Sequence, residues 1–274
     1  MTDSDLKNQL LQFEAARVGA PLALQPAKVT NVLAVRDGTD QDPTVLALAG
    51  AFALRSGAVV REFYSAAADP LDELLKVASD CQLLVVPSPF RRDYAAEGQQ
   101  SLSTTVDLLL ARCPAAICLA RAPVEGAERC VTHPLVALQI ERHRKVEATE
   151  VALTFAMGGG EIMLLSVVDP QRPVRSEEMV GRSLDPKDLS PDVLHGLATA
   201  RAAALTAALQ RHAGEWRIGV RVQFGLGDAV KLALEQNAKR GGLLVAGRNR
   251  DATTPGAQDA RRLVLGSRWP VLLV

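Results

Sequence analysis

Short apolar runs alternate with longer stretches of helical period along the chain. Val32–Val35, Leu83–Val86, Leu135–Leu138 and Leu243–Ala246 are compact blocks of Leu, Val and Ala, the signature of strands buried on both faces. Val59–Ser65, Glu161–Val168 and the alternating stretch Trp216–Phe224 read as further strands. Between them the spacing predicts helices over Pro43–Arg55, Pro70–Ser79, Val146–Met157, Asp192–His212 and Gln258–Leu265. The first closes on Ser56-Gly57 and the third on Gly158-Gly159-Gly160, as helix-terminating glycines do. The last strands, Ala116–Leu119 and Val271–Val274, each follow shortly on a proline.

The pattern repeats. Val32–Ala66 aligns without a gap on Leu135–Asp169, so that Phe52-Ala53 meets Phe155-Ala156 and Gly57 meets Gly160. Further on, Leu83–Val86 meets Leu243–Ala246, and Pro114–Cys118 meets Pro270–Val274. The offset grows between these blocks because the second copy holds an insertion. It comprises a polar loop over Asp169–Pro191, the helix Asp192–His212 and the strand Trp216–Phe224. The first copy runs instead through Ala66-Ala67-Ala68 straight to its next helix. Right-handed crossovers turn such a chain into two doubly wound parallel sheets, the first of four strands and the second of five. The expected division is an N-terminal extension over 1–27, a shortened first domain over 28–121, a linker over 122–130 and a second domain over 131–274. In the extension, Leu6, Leu10, Leu11 and Phe13 predict a short helix over Leu6–Arg17, whose apolar side is free to dock on the core or on a partner.

Composition narrows the function. At 274 residues the chain is long enough for two domains. It is 48% hydrophobic but only 4% aromatic, which suits an α/β core of Ala, Leu and Val. Basic and acidic residues both number 31, so there is no overall field to hold nucleic acid or an anionic membrane. The longest apolar stretch, Val45–Leu54, is far short of the roughly 20 residues a membrane span needs, and no basic leader precedes an apolar segment. A cytoplasmic protein is expected. Cys81, Cys113, Cys118 and Cys130 lack metal-ligand spacing and are expected as buried free thiols. His133, His143, His195 and His212 are scattered over different elements, and no nucleophile-elbow, P-loop or paired-carboxylate motif occurs. Nothing in this pattern points to an enzyme.

The order of these elements resembles the universal stress protein family. The resemblance rests on the first strand with its Asp37-Gly38-Thr39 loop, the helix ending at Gly57, the Leu83–Val86 strand, and the helix running to Cys113-Pro114 before a last short strand. The ending Trp269-Pro270-Val271-Leu272-Leu273-Val274 is similar to that family's common terminus. The resemblance spans both copies and implies a tandem member with the adenine nucleotide alpha-hydrolase-like fold. It also implies that the last strands of the copies pair with each other across a pseudo-twofold axis, with cover by each copy's own helices as the alternative.

Nucleotide-binding members resemble one another in an acid after the first strand and in a Gly-x-x-Gly loop, followed after a spacer by Gly-Ser or Gly-Thr, beyond the fourth. Glycines there let backbone N–H groups and a helix N-terminus reach phosphate. Both copies depart from that pattern. The first keeps Asp37 and Gly38, but Pro87-Ser88-Pro89-Phe90 stands where the glycines belong and Gln100-Ser101-Leu102-Ser103 where Gly-Ser belongs. The second keeps Gly247 but has Arg250 at the second glycine and Gln139-Ile140-Glu141 at the acid. Gly266-Ser267 looks like the missing Gly-Ser but aligns with Leu110-Ala111 inside a helix's last turn; Gly256-Ala257, at that helix's start, is the better match. Asp37 has two readings, a ribose- or phosphate-orienting acid and an ordinary Asp-Gly turn residue. Gly247, Arg248 and Asn249 likewise read as an anion site using guanidinium groups or as a solvated loop, with Arg91 and Arg92 in the comparable loop of the first copy.

The expectation is a non-enzymatic stress-response or regulatory protein with weak or lost nucleotide binding, acting through another protein or a second copy. The alternatives are a switch that binds ATP, AMP or another anion in the second domain, and a cytosolic module associated with a membrane transporter.

Overall fold

In the computed structural model of the chain, the described residues are 22–64, 70–92, 102–121, 125–140, 142–170 and 190–274. The helix expected over Leu6–Arg17, residues Ala66–Ala68 and Gln100-Ser101, and most of the loop Asp169–Pro191 lie outside them. Nine strands form one sheet: β1 (Asn31–Arg36), β2 (Val59–Tyr64), β3 (Leu83–Pro87), β4 (Ala116–Ala120), β5 (Leu135–Ala137), β6 (Glu161–Val168), β7 (Gly219–Leu226), β8 (Leu244–Ala246) and β9 (Val271–Leu273). Their order is β2-β1-β3-β4-β9-β8-β5-β6-β7. Every neighbouring pair is parallel except β4 and β9, which run antiparallel with Cys118 opposite Leu272. Two doubly wound halves, of four and five strands, are thereby fused through their last strands.

Eight α-helices among the described residues cover the sheet. They are α1 (Asp42–Ser56), α2 (Leu71–Ala78), α3 (Thr104–Arg112), α4 (Ala127–Thr132), α5 (Lys145–Ala156), α6 (Pro191–Trp216), α7 (Ala229–Arg240) and α8 (Pro255–Gly266). The core divides by face. Residues of α1, α4, α5 and α6 cluster with Val32, Ala34, Val136 and Val245 on one side. Those of α2, α3, α7 and α8 cluster with Leu33, Leu84, Leu135 and Leu244 on the other. With helices on both sides, inner strands such as β3 bury every residue, which is why they read as unbroken apolar blocks.

The helix boundaries have local causes. Ser190, Asp228 and Thr254 precede α6, α7 and α8, and each side chain accepts from an N–H of the first turn. Gly57 and Gly241 stop α1 and α7 in the left-handed conformation, each donating its N–H back to a carbonyl of the last turn. α6 runs past the expected His212 to Trp216, and β7 begins only at Gly219. Contacts one helical turn apart favour the extension: His212 bonds Glu215 at 3.1 Å and stacks on Trp216 with centroids 4.9 Å apart. Part of the stretch expected as a linker, 122–130, is helical, since α4 starts at Ala127 and buries Cys130 and Val131. All four cysteines are buried free thiols.

The halves interlock on both faces. Phe52 of α1 and Phe155 of α5, set together by the repeat alignment, are in contact at 4.6 Å between centroids and 59° between planes. Val32 and Leu135, set together by the same alignment, face opposite sides of the sheet. Side chains alternate along a strand, so by face the first strands match one residue away from the gap-free register. The segment before β1 also crosses to the second half: Ala27 N–H donates to the Glu150 carbonyl at 3.3 Å, Thr154 Oγ1 donates to the Ala27 carbonyl at 3.0 Å, and Leu24 is buried. Arg55, at the end of α1, donates to the carbonyls of Phe155 and Met157 at the end of α5. Replacing Phe52 by Ala should therefore loosen both halves at once. A loss of about 3–5 kcal/mol in urea unfolding is expected, within a single transition.

Candidate functional site

In a doubly wound sheet a ligand crevice opens at the carboxyl ends of the strands where the winding reverses. In the first half that point lies between β1 and β3, since β1 has β2 on one side and β3 on the other. The loop leaving β1 carries Asp37 and Gly38, and the loop leaving β3 carries Ser88–Arg92. The two loops are bonded to each other. Asp37 Oδ2 accepts the Arg91 N–H at 2.5 Å, while its Oδ1 accepts both the N–H and the hydroxyl of Thr39 at 3.1 and 2.6 Å. Arg91 holds a positive φ of 59°, which aims its N–H back across the crevice. Gln41, 3% exposed, donates to the carbonyls of Pro89 and Arg92 at 3.0 and 3.3 Å and accepts the Ser88 N–H at 3.1 Å. Phe90 is buried and holds the Arg91 guanidinium over its ring at 5.6 Å. Arg121, wholly buried at the end of β4, donates to the Ser88 hydroxyl at 3.3 Å.

The loop amides that could greet an anion already face a carboxylate. Asp42, in the first turn of α1, accepts the N–H of Asp37 at 3.0 Å and that of Gly38 at 3.3 Å, and pairs with Arg36 at 3.4 Å. Gly38 has φ 82° and lies under the Tyr64 ring. Burial pushes the Asp37 carboxyl above its ordinary range, against the opposing pull of the Thr39 and Arg91 donors.

In the second half the residues expected together at an anion site diverge. Gly247 and Arg248 follow directly on β8, and the Arg248 N–H donates to the Val274 carbonyl at 2.7 Å. The Arg248 side chain, 6% exposed, turns away from α8 to the end of α3. There its guanidinium donates to the carbonyls of Leu110, Cys113 and Ala115 at 3.1, 3.0 and 2.9 Å. Arg250 reaches the Pro114 carbonyl beside them at 3.3 Å. Burial pulls the Arg248 guanidinium down to about 10. Asn249 Oδ1 accepts the Asp251 N–H at 3.0 Å, and Asp251 accepts the N–H and hydroxyl of Thr253. Gly256 and Ala257 lie in the first turn of α8, where Thr254 Oγ1 already accepts the Ala257 N–H at 3.2 Å. Gly266 is the last residue of α8 and Ser267 follows it, buried and bonded to Trp269, so this pair sits at the end of the helix and away from its start. At the acid position Ile140 is buried and Gln139 Oε1 accepts the Val167 N–H at 2.8 Å.

Sequence reasoning singled out Asp37 and, for its charge, Arg91, but not the backbone bond between them, and it passed over Gln41. Gln41 reads as one more polar residue of a turn, and only the folded approach of the β3 loop reveals its three bonds. Phe90 carried a signal, being the one aromatic residue in the Pro-rich loop.

No family model and no curated protein matches the chain. Among solved structures it is similar to a putative universal stress protein from Pseudomonas aeruginosa UCBPP-PA14, with a TM-score of 0.52 and 13% identity over 90% of this chain and 93% of that one. It is also similar to a universal stress protein from Archaeoglobus fulgidus DSM 4304, with a TM-score of 0.57 and 12% identity over 90% and 98% of the two chains. At these identities the likeness establishes the fold: this is an α/β chain built as universal stress proteins are.

Two substitutions check the geometry. Arg248→Met would take the guanidinium donor from three carbonyls, two of them in buried bonds, and a loss of about 3 kcal/mol is expected in denaturant unfolding. For Asp37, a folded pKa above the unfolded value means that stability is fully present below the ordinary carboxylate range and falls as pH rises through the folded value. Asp37→Asn removes that fall, so the variant should gain on the parent as pH is raised through and above the ordinary carboxylate range, apart from a constant offset for the lost acceptor.

Proposed function

We propose that this chain is a non-enzymatic regulatory or stress-response protein of the universal stress type, in which the nucleotide crevice has been converted into structure. It acts in the cytoplasm, through another protein or a second copy of itself. The observation that carries this reading is the occupation of the first crevice by the protein's own groups. Asp37 and Gln41 hold the Ser88–Arg92 loop, Phe90 is buried there, and Asp42 takes the amides of Asp37 and Gly38. A phosphate would have to displace a carboxylate from these amides. That costs the existing charge-assisted bonds and sets two anions side by side. The second crevice supports the same reading, because the Arg248 guanidinium is bonded to carbonyls of α3 and of the turn that follows it.

Titration calorimetry with ATP, ADP and AMP tests this. No saturable heat is expected at micromolar concentrations, and protein denatured after purification without added ligand should release no nucleotide to mass spectrometry. Micromolar binding of one nucleotide per chain would overturn the reading. Its loss on replacing Gly247 by a bulky residue would assign that binding to the second half.

A further inference from the structure

A cavity of about 310 Å³ lies at the amino ends of β1, β3 and β4, the edge of the first half opposite to Asp37 and the β3 loop. Its walls come from both halves. Val29, Leu83 and Ala116 belong to the first, and Val151, Phe155 and Val274 to the second. Val274 reaches this edge because β9 runs antiparallel to β4, with Leu273 opposite Ile117, so the end of one strand lies beside the start of the other.

Hydrogen bonds hold these walls in place. Ala27, which also lines the cavity, donates to the Glu150 carbonyl at 3.3 Å and accepts from the Thr154 hydroxyl at 3.0 Å. Val274 donates to the Ala246 carbonyl at 3.1 Å. Leu83 and Phe155 are buried and give the cavity an apolar floor. Water against such a floor is readily replaced by an apolar group, and a preformed apolar hollow with a few polar groups is the usual form of a small-molecule site. The rim supplies those groups. Lys28, exposed, is the one charged residue lining the cavity, and it forms no ion pair among the described residues. Gln82 also lines it. Its Oε1 accepts the N–H groups of Thr30 and Asn31 and the Thr30 hydroxyl, which leaves its Nε2 as a donor.

We propose that this cavity binds a small anionic amphiphile, a medium-chain carboxylate, with its alkyl chain on Val29, Leu83, Val151 and Phe155 and its carboxylate at Lys28 and the Gln82 amide. A neutral apolar ligand leaves the ammonium unused, and a wholly polar anion leaves the apolar floor in water, so the walls and rim together select a molecule with both parts. The site is independent of the two crevices and of whether they hold nucleotide. Because both halves line it, a ligand that binds only the joined form stabilises the seam between them.

Titration calorimetry and thermal unfolding of the full chain with octanoate, kept below its micellar range, test the site. One octanoate per chain with a Kd below about 1 mM is expected, and the unfolding temperature should rise as octanoate is added. Octanol, which has the tail without the charge, and octanoate with the Lys28→Met variant should each bind about tenfold more weakly, the share of one charge-assisted contact. Ala116→Leu, which fills the cavity from its wall, should abolish the heat while keeping the parent's circular dichroism. Methyl NMR of the parent locates the ligand even where that variant does not fold: octanoate should shift the signals of Val29, Leu83 and Val151 and leave those of Val193 and Leu197 in α6 unmoved. Absence of saturable binding up to about 1 mM would overturn the proposal. Binding that survives Ala116→Leu or ignores Lys28→Met, octanol bound as tightly as octanoate, or methyl shifts away from the cavity would each do the same.

Discussion

The antiparallel pairing of β4 with β9 is the constraint on which the rest of this molecule depends. Each of these short strands would otherwise end its own sheet with a row of unpaired N–H and C=O groups, an arrangement folded proteins avoid. Joined, they become the centre of a nine-stranded sheet, and each half buries the other's weakest edge. Side chains fasten the seam on both faces. On one, Phe52 packs on Phe155 and Arg55 caps the carbonyls ending α5. On the other, Arg248 and Arg250 of the second half satisfy carbonyls at and beyond the end of α3 in the first. A helix C-terminus leaves carbonyls without partners and a partial negative charge, which is why arginine serves at both places.

This seam bears on the crevices. The loop after β8 lies next to β9 and so next to the junction, and Arg248 faces the first half. In the first half, the loop after β3 has prolines where a phosphate cradle needs free N–H groups, and a proline offers none. Two of its N–H groups are taken up by side chains of the β1 loop, that of Ser88 by Gln41 and that of Arg91 by Asp37, and Ser88 also donates to the Ala120 carbonyl. Buried polar groups must find partners, and in this crevice the partners are the chain's own. The loops after β1 and β3 are thus held to each other through Asp37 and Gln41.

Much of the fold was legible because strands buried on both faces leave unmistakable apolar blocks and because helix ends carry glycine, proline and hydroxyl signals. The alignment of one stretch of the sequence on the other also set together Phe52 and Phe155, the pair that meets at the seam. The strand register was not legible there, because two apolar runs can be slid by one residue with no loss of similarity, and only the alternation of faces in the folded sheet separates Val32 from Leu135. The end of α6 was misread for a related reason: Trp216 suits a strand by propensity, and its stacking on His212 one turn earlier goes with the helix instead.

By itself the sequence determined the alternation of strands and helices, the shortening of the first half, and the prolines of the loop after β3, which offer no N–H. These are local properties, set by periodicity, by backbone freedom and by the presence or absence of an N–H. Tertiary structure alone decided where the polar side chains point. Arg248 and Asp37 are charged residues on loops in the sequence, and equally suited there to a ligand, to solvent or to the protein. Which partner each has depends on carbonyls and amides far away in the chain, at Leu110, Cys113 and Ala115 for the one and at Arg91 for the other. Such partners become neighbours only when the sheet closes through β4 and β9 and the loops at its carboxyl edge are brought together.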